Sequence, residues 1–142
     1  MSETTPAYPQ PREDTDNAVF LAGWRRGKLM IQYCGGCGTA FFYPRPLCPH
    51  CWSADLTHEA SAGRGIIVSY SAIERPNDPT FNGETPILLA EVKLVEGASL
   101  LARIVECRNE DISSGLQVEL APADIASRYP LPVFRLRHGV DA

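Results

Sequence analysis

Residues 34–51 read CGGCGTAFFYPRPLCPHC, two Cys-x-x-Cys turns joined by ten residues. Two such turns facing each other place four sulfurs at the corners of a tetrahedron, each about 2.3 Å from a zinc ion. Gly35, Gly36 and Gly38 let the first turn take tight or left-handed geometry, and Pro49 stiffens the second. The joining segment GTAFFYPRPL is long enough to run out and back as a ribbon, with its aromatics over the metal. A catalytic zinc keeps one position open, whereas four cysteines fill the sphere. Cys34, Cys37, Cys48 and Cys51 are therefore expected to hold a structural Zn2+ whose binding is folding energy. His50, between two residues that already supply thiolates, is expected to be exposed and uninvolved. Rubredoxin-type iron uses the same ligand set, and reduced or redox-active thiols are the remaining alternative.

The compartment bears on that reading, because paired cysteines in a reducing environment more often bind metal than form disulfides. The first residues, MSETTPAYPQPREDTDN, lack the basic start and apolar stretch of a signal peptide, so a cytoplasmic location is expected. No run approaches the roughly 18 apolar residues of a membrane span, and a soluble protein is expected. The formal net charge is −4 and the pI about 5.3, which argues against a nucleic-acid binder that must neutralise phosphates. Hydrophobic residues make up 44% of the chain, enough for one core but not for two.

The chain divides into four stretches. Residues 1–14, polar and Pro-rich, are expected to be disordered. Residues 15–33 hold a short helix and a strand: Asp14, Thr15 or Asp16 can cap the helix, which runs to about Arg26, and Gly27 stops it. Phe20 and Trp24 share one helical face with Leu21 at its edge. In KLMIQYC, Leu29, Ile31 and Tyr33 alternate along one side of a strand. Residues 34–55 form the ribbon, and residues 56–142 the barrel domain.

Five strands are expected in that domain, at residues 63–73, 86–95, 98–105, 116–120 and 132–137, with Glu96-Gly97 as a short hairpin turn. NEDISSG (109–115) reads as a helical turn or loop. The fold class is mainly β: an N-terminal helix and rubredoxin-like zinc ribbon followed by a five-stranded OB-fold barrel, with an SH3-like barrel as competitor. Residues 74–86, ERPNDPTFNGETP, form a long loop that either lies over a ligand channel as a lid or is solvated, with Phe81 tucked onto the barrel wall.

Catalytic machinery is scarce. Cys107 would need a positioned base, and neither His58 nor His138 falls into a local pattern with it, so a buried inert thiol is expected. No phosphate-binding glycine motif appears. An enzyme working alone is not expected.

The order of helix, CxxC…CPHC ribbon, GRGIIVSYS, PILLAEVKLVEGASLLARIV, ISSGLQVEL and terminal PVFRLR resembles the DUF35 family from about Phe20 to Arg137. The resemblance implies a rubredoxin-like zinc ribbon and an acyl-CoA-associated OB-fold. It also implies a small accessory subunit of a thiolase-superfamily enzyme, of thiolase, lipid-transfer-type aldolase or acyltransferase type. Catalytic groups would then sit on the large subunit, in a hetero-oligomer of α2β2 type, and some members are fused to MaoC-like hydratases. On that basis Phe20, Trp24, Phe41, Phe42 and Tyr43 are expected to form the docking surface. Arg45, Arg64 and Arg75 are candidates for the phosphates of a CoA thioester, and Phe81 marks the candidate lid. The competing reading is a single-stranded nucleic-acid binder using Tyr70 and Arg103, against which stand Glu91, Glu96, Glu106 and Glu119 in the same region.

Overall fold

The computed structural model of the chain describes residues 8–137. Helix α1 (Ala18–Arg25) buries Phe20, Leu21 and Trp24, the stripe expected from their spacing. It begins later than Asp14–Asp16 because those positions close a turn of their own. Asp14 Oδ1 accepts from the Asp16 and Asn17 backbone N–H, and Asn17 Oδ1 accepts from the Asp14 N–H. Gly27, at φ +78°, ends the helix, with its N–H donating to Trp24 O.

Strand β1 (Met30–Cys34) is the centre of a three-stranded antiparallel sheet, between β2 (Ala40–Phe41) and β3 (Leu56–Ala60). β3 pairs along all of β1, from Met30↔Ala60 to Cys34↔Leu56. Residues 56–60 therefore belong to the ribbon sheet and not to the barrel. Four of the five β3 residues are exposed, so this edge strand carries no apolar alternation from which it could be read.

The barrel strands are β4 (Arg64–Ile73), β5 (Ile87–Leu94), β6 (Ser99–Ile104), β7 (Gln117–Leu120) and β8 (Val133–Leu136). They close in the order β4-β5-β6-β8-β7, with β6–β8 parallel and the other pairs antiparallel, which is an OB-type barrel. Gly65 lies where β4 presses on β5: a Cβ there would sit 2.5 Å from Lys93 O. The Glu96-Gly97 hairpin turn is present, with Gly97 at φ +101°. A short helix α2 (Ala123–Ala126) between β7 and β8 is new relative to the sequence reading, its four residues being too few to show a period.

The main core spans helix α1, ribbon sheet and barrel, with smaller clusters around Trp24 and α2 and around Cys34, Phe41 and Cys48. Phe20 and Leu21 of α1, Leu29, Ile31 and Phe42 of the ribbon, and Ile67, Val92, Val118 and Phe134 of the barrel form a single buried cluster. The Glu96 carboxylate ties ribbon to barrel by accepting from Ser61 Oγ (2.8 Å) and Ala62 N (2.7 Å). Residues 1–7 lie outside the described residues, but 8–14 are not free: Tyr8 packs onto the barrel loops. Among the described residues, no helix is long and apolar enough to cross a membrane.

Candidate functional site

The four thiols converge. The sulfurs of Cys34, Cys37, Cys48 and Cys51 all lie within 4.8 Å of one another. Cys34 and Cys51 approach to 3.5 Å, and Cys37 and Cys48 to 3.7 Å. A tetrahedron with 2.3 Å bonds has edges of about 3.8 Å, so the spacing fits one zinc ion. The backbone prepares the thiolates. Gly36 N and Cys37 N donate to Cys34 Sγ (3.3 and 3.4 Å), and His50 N donates to Cys48 Sγ (3.3 Å). Hydrogen bonds from Thr39 hold Cys37 down to about 6. Cys51, although the Ser53 N–H favours its thiolate, is pushed up to about 12 by its contact with Cys34 and by desolvation. Four sulfurs this close cannot all ionise without a cation among them. The donor set is thus a zinc site with its sphere full, suited to holding the ribbon and not to activating water.

A second feature is a groove of about 590 Å³ on the barrel wall. Its floor is Ile87 and Leu89 of β5 with Leu101 and Arg103 of β6. Its sides are the loop between β4 and β5 and the segment between β7 and β8. These are the second and third barrel strands with the loops between strands one and two and between four and five, the face on which OB-folds take ligands. Tyr8 reaches into it, stacking on Phe81 (centroids 5.4 Å) and on Tyr129 (5.5 Å), each at 17°. The Tyr8 hydroxyl donates to Glu84 Oε2 at 2.6 Å. Glu84 also pairs with Arg103 at 2.7 Å, and the Arg103 guanidinium lies 5.3 Å from the Tyr129 ring centroid. Burial, and then Glu84, push the Tyr8 phenol up to about 12.

The sequence candidates are distributed unevenly over these two features. Arg75 and Phe81 both line the groove. Arg64 lines a separate cleft of about 420 Å³ with Lys93 and Arg137. Arg45 is exposed on the ribbon, its backbone clamped by Gln32, whose amide donates to Arg45 O and accepts from Arg45 N, both at 2.9 Å. The three arginines are therefore not brought together. Gln32, buried among apolar neighbours, escaped the sequence reading; its signal was a lone amide inside LMIQYC.

The expected docking surface is largely interior. Phe20, Trp24, Phe41 and Phe42 are all buried in the chain's own core. Trp24 packs with Val105, Ala121, Ala126 and Val133 and donates from Nε1 to Tyr129 O at 2.9 Å. Phe20 meets Phe42 edge-on at 5.2 Å. Aromatics spaced for a helix face served the closing of this barrel. Only Tyr43 is exposed, and its hydroxyl accepts from Leu101 N at 3.0 Å. Cys107 is half-buried and not fully enclosed, and burial followed by Asp111 pushes its thiol up, away from nucleophilic character. His50 is exposed as expected; His58 is exposed on β3, and His138 lies outside the described residues.

Residues 21–57 match the family model described as ChsH2, rubredoxin-like zinc ribbon domain, and residues 58–121 that of the ChsH2 C-terminal OB-fold domain. A DUF35 domain-containing scaffold protein of Methanocaldococcus jannaschii is 36% identical over 107 residues, covering 71% of this chain and 74% of that one. The chain belongs to the DUF35 family. A probable enoyl-CoA hydratase alpha subunit of Thermomonospora curvata is 35% identical over 127 residues. That match takes 89% of this chain but only 39% of the relative, so this DUF35 chain spans about two fifths of that protein's length. Among solved structures, a chain of the "Ltp2-ChsH2(DUF35) aldolase" aligns with a TM-score of 0.75 and 36% identity, over 89% of this chain and 98% of that one. A DUF35 protein of Sulfolobus solfataricus, at 19% identity and a TM-score of 0.62, shares the fold.

Proposed function

We propose that this DUF35 chain is the accessory subunit of a thiolase-superfamily acyl-CoA enzyme, of thiolase, lipid-transfer-type aldolase or acyltransferase type. The observation that carries the reading is the likeness to the DUF35 chain of the Ltp2-ChsH2 aldolase, matched over 98% of its length at 36% identity. A filled thiol tetrahedron and a Cys107 thiol pushed up by burial and Asp111 support a scaffold whose partner carries the reaction.

The groove supports the acyl-CoA part of the proposal. Its lining is mostly apolar, as an acyl chain requires, and its volume lies within the usual range for ligand sites. Arg75 stands at this groove with no ion-pair partner among the described residues, available to a phosphate. Arg103 is already engaged by Glu84, which favours an apolar ligand over a nucleic-acid strand. The 74–86 loop, carrying Phe81, then acts as the side of the channel. In the assembled enzyme, Arg75→Ala is expected to raise KM for the CoA thioester severalfold with little change in kcat.

The experiment is affinity capture of the tagged chain from its native cells, with the retained proteins identified by mass spectrometry. A thiolase-type protein in stoichiometric amount is the expected result. Recovery of the chain alone, or with RNA and no acyl-CoA enzyme, would overturn the reading.

A further inference from the structure

The two zinc-binding turns are built alike. In the first, Gly38 N donates to Cys34 O at 2.8 Å; in the second, Trp52 N donates to Cys48 O at 2.9 Å. Each turn also directs the N–H two residues on, Gly36 or His50, to its first sulfur at 3.3 Å. Each ends in a left-handed residue, Gly38 at φ +76° and Trp52 at φ +67°. Glycine adopts that conformation without steric penalty, whereas a bulky residue with a Cβ is a true outlier there.

Among the described residues, the Trp52 side chain has neither a hydrogen bond nor an aromatic partner to offset its strain. It is 75% exposed, more than any other large hydrophobic residue described. Leu47, on the same turn, is also exposed. Between residues 34 and 54 the only cationic side chain is Arg45, and four thiolates around one Zn2+ leave the metal site itself net negative. The lack of cations at this end suits neither a nucleic acid nor an anionic lipid surface, both of which call for Lys and Arg. An exposed tryptophan is the kind of side chain enriched at the centre of protein interfaces.

We propose that Trp52 is the anchor by which the zinc-binding end of this chain docks into an apolar pocket on its large subunit. This rests on the accessory-subunit reading, since it names the contact that such a subunit uses. The expected buried aromatics cannot serve, and Trp52 takes over the role assigned to Phe20 and Trp24 from sequence.

The test uses Trp52→Gly, which gives the second turn the residue that the first already has. The variant should bind zinc and melt at or slightly above the wild-type temperature, so that lost assembly cannot be ascribed to unfolding. Titrated with the purified thiolase-type protein that accompanies the wild-type chain, it should show a Kd at least tenfold higher, about 1.4 kcal/mol. Tryptophan emission of the wild-type chain should shift to the blue on assembly, and that shift should vanish in the variant. An unchanged Kd in Trp52→Gly would overturn the inference and leave the accessory role standing. A wild-type chain that self-associates through Trp52, becoming monomeric in the variant, would assign the anchor to a second copy instead. If the wild-type chain forms no complex with any thiolase-type protein, the accessory reading fails and the anchor proposal with it.

Discussion

At the scale of the residue, two aromatic side chains near the start of the chain decide how the barrel is closed. Trp24 fills the space between α1 and α2 and gives its indole N–H to Tyr129 O. Trp24→Ala leaves both a cavity and an unpaired carbonyl, and we expect a loss of about 3–5 kcal/mol, read in denaturant unfolding. Tyr8 is held by stacking and by the Glu84 carboxylate. Its folded phenol is raised to about 12 from an ordinary value of 10.0. A raised folded value means that the folded state keeps the proton longer. The contribution of Tyr8 is therefore complete below pH 10 and lost as the pH rises through about 12. Burial also raises Tyr33, so an ultraviolet titration should show late phenols of which one is missing in Tyr8→Phe; identical curves would show that Tyr8 is not so held.

At the scale of the element, the zinc ribbon is part of the barrel's core and not an appendage to it. Leu29, Ile31 and Phe42 lie in the same cluster as the barrel interior, and Glu96 joins the end of the barrel hairpin to Ser61 and Ala62. Removing the metal with a strong chelator should therefore lower the single melting transition of the whole chain. A two-step melt, with the barrel transition unmoved, would contradict the shared core. Cys48→Ser should act in the same direction, by several kcal/mol of lost metal binding. The same elements show what could be read in advance. The four thiols, the five barrel strands and the stop at Gly27 were legible because spacing, alternation and glycine each have one local cause. β3 was not, since an exposed edge strand has no apolar period, and α2 was too short to have one. Trp52 was passed over because a left-handed backbone at a non-glycine residue leaves no mark in sequence.

At the scale of the whole molecule, the surface separates into regions with different chemistry. The zinc-binding end has few cations and shows Trp52; the barrel wall carries an apolar groove bounded by Arg75, Phe81 and Tyr129. The sequence places docking on the α1 face and the ribbon aromatics, because large aromatics serve a core and an interface equally well. Only the closed barrel shows that the core claims them. Arg75 and Phe81, from a proline-rich stretch between two strands, line one groove. On the proposed reading, zinc, groove and anchor serve a subunit that supports another protein's active site. The most direct measurement is the acyl-CoA turnover of the purified thiolase-type partner as this chain is added. The account predicts a rate that rises and saturates at a fixed stoichiometric ratio, with less acceleration by Trp52→Gly at the same concentration. A rate indifferent to the chain, with no complex in native mass spectrometry, would contradict it.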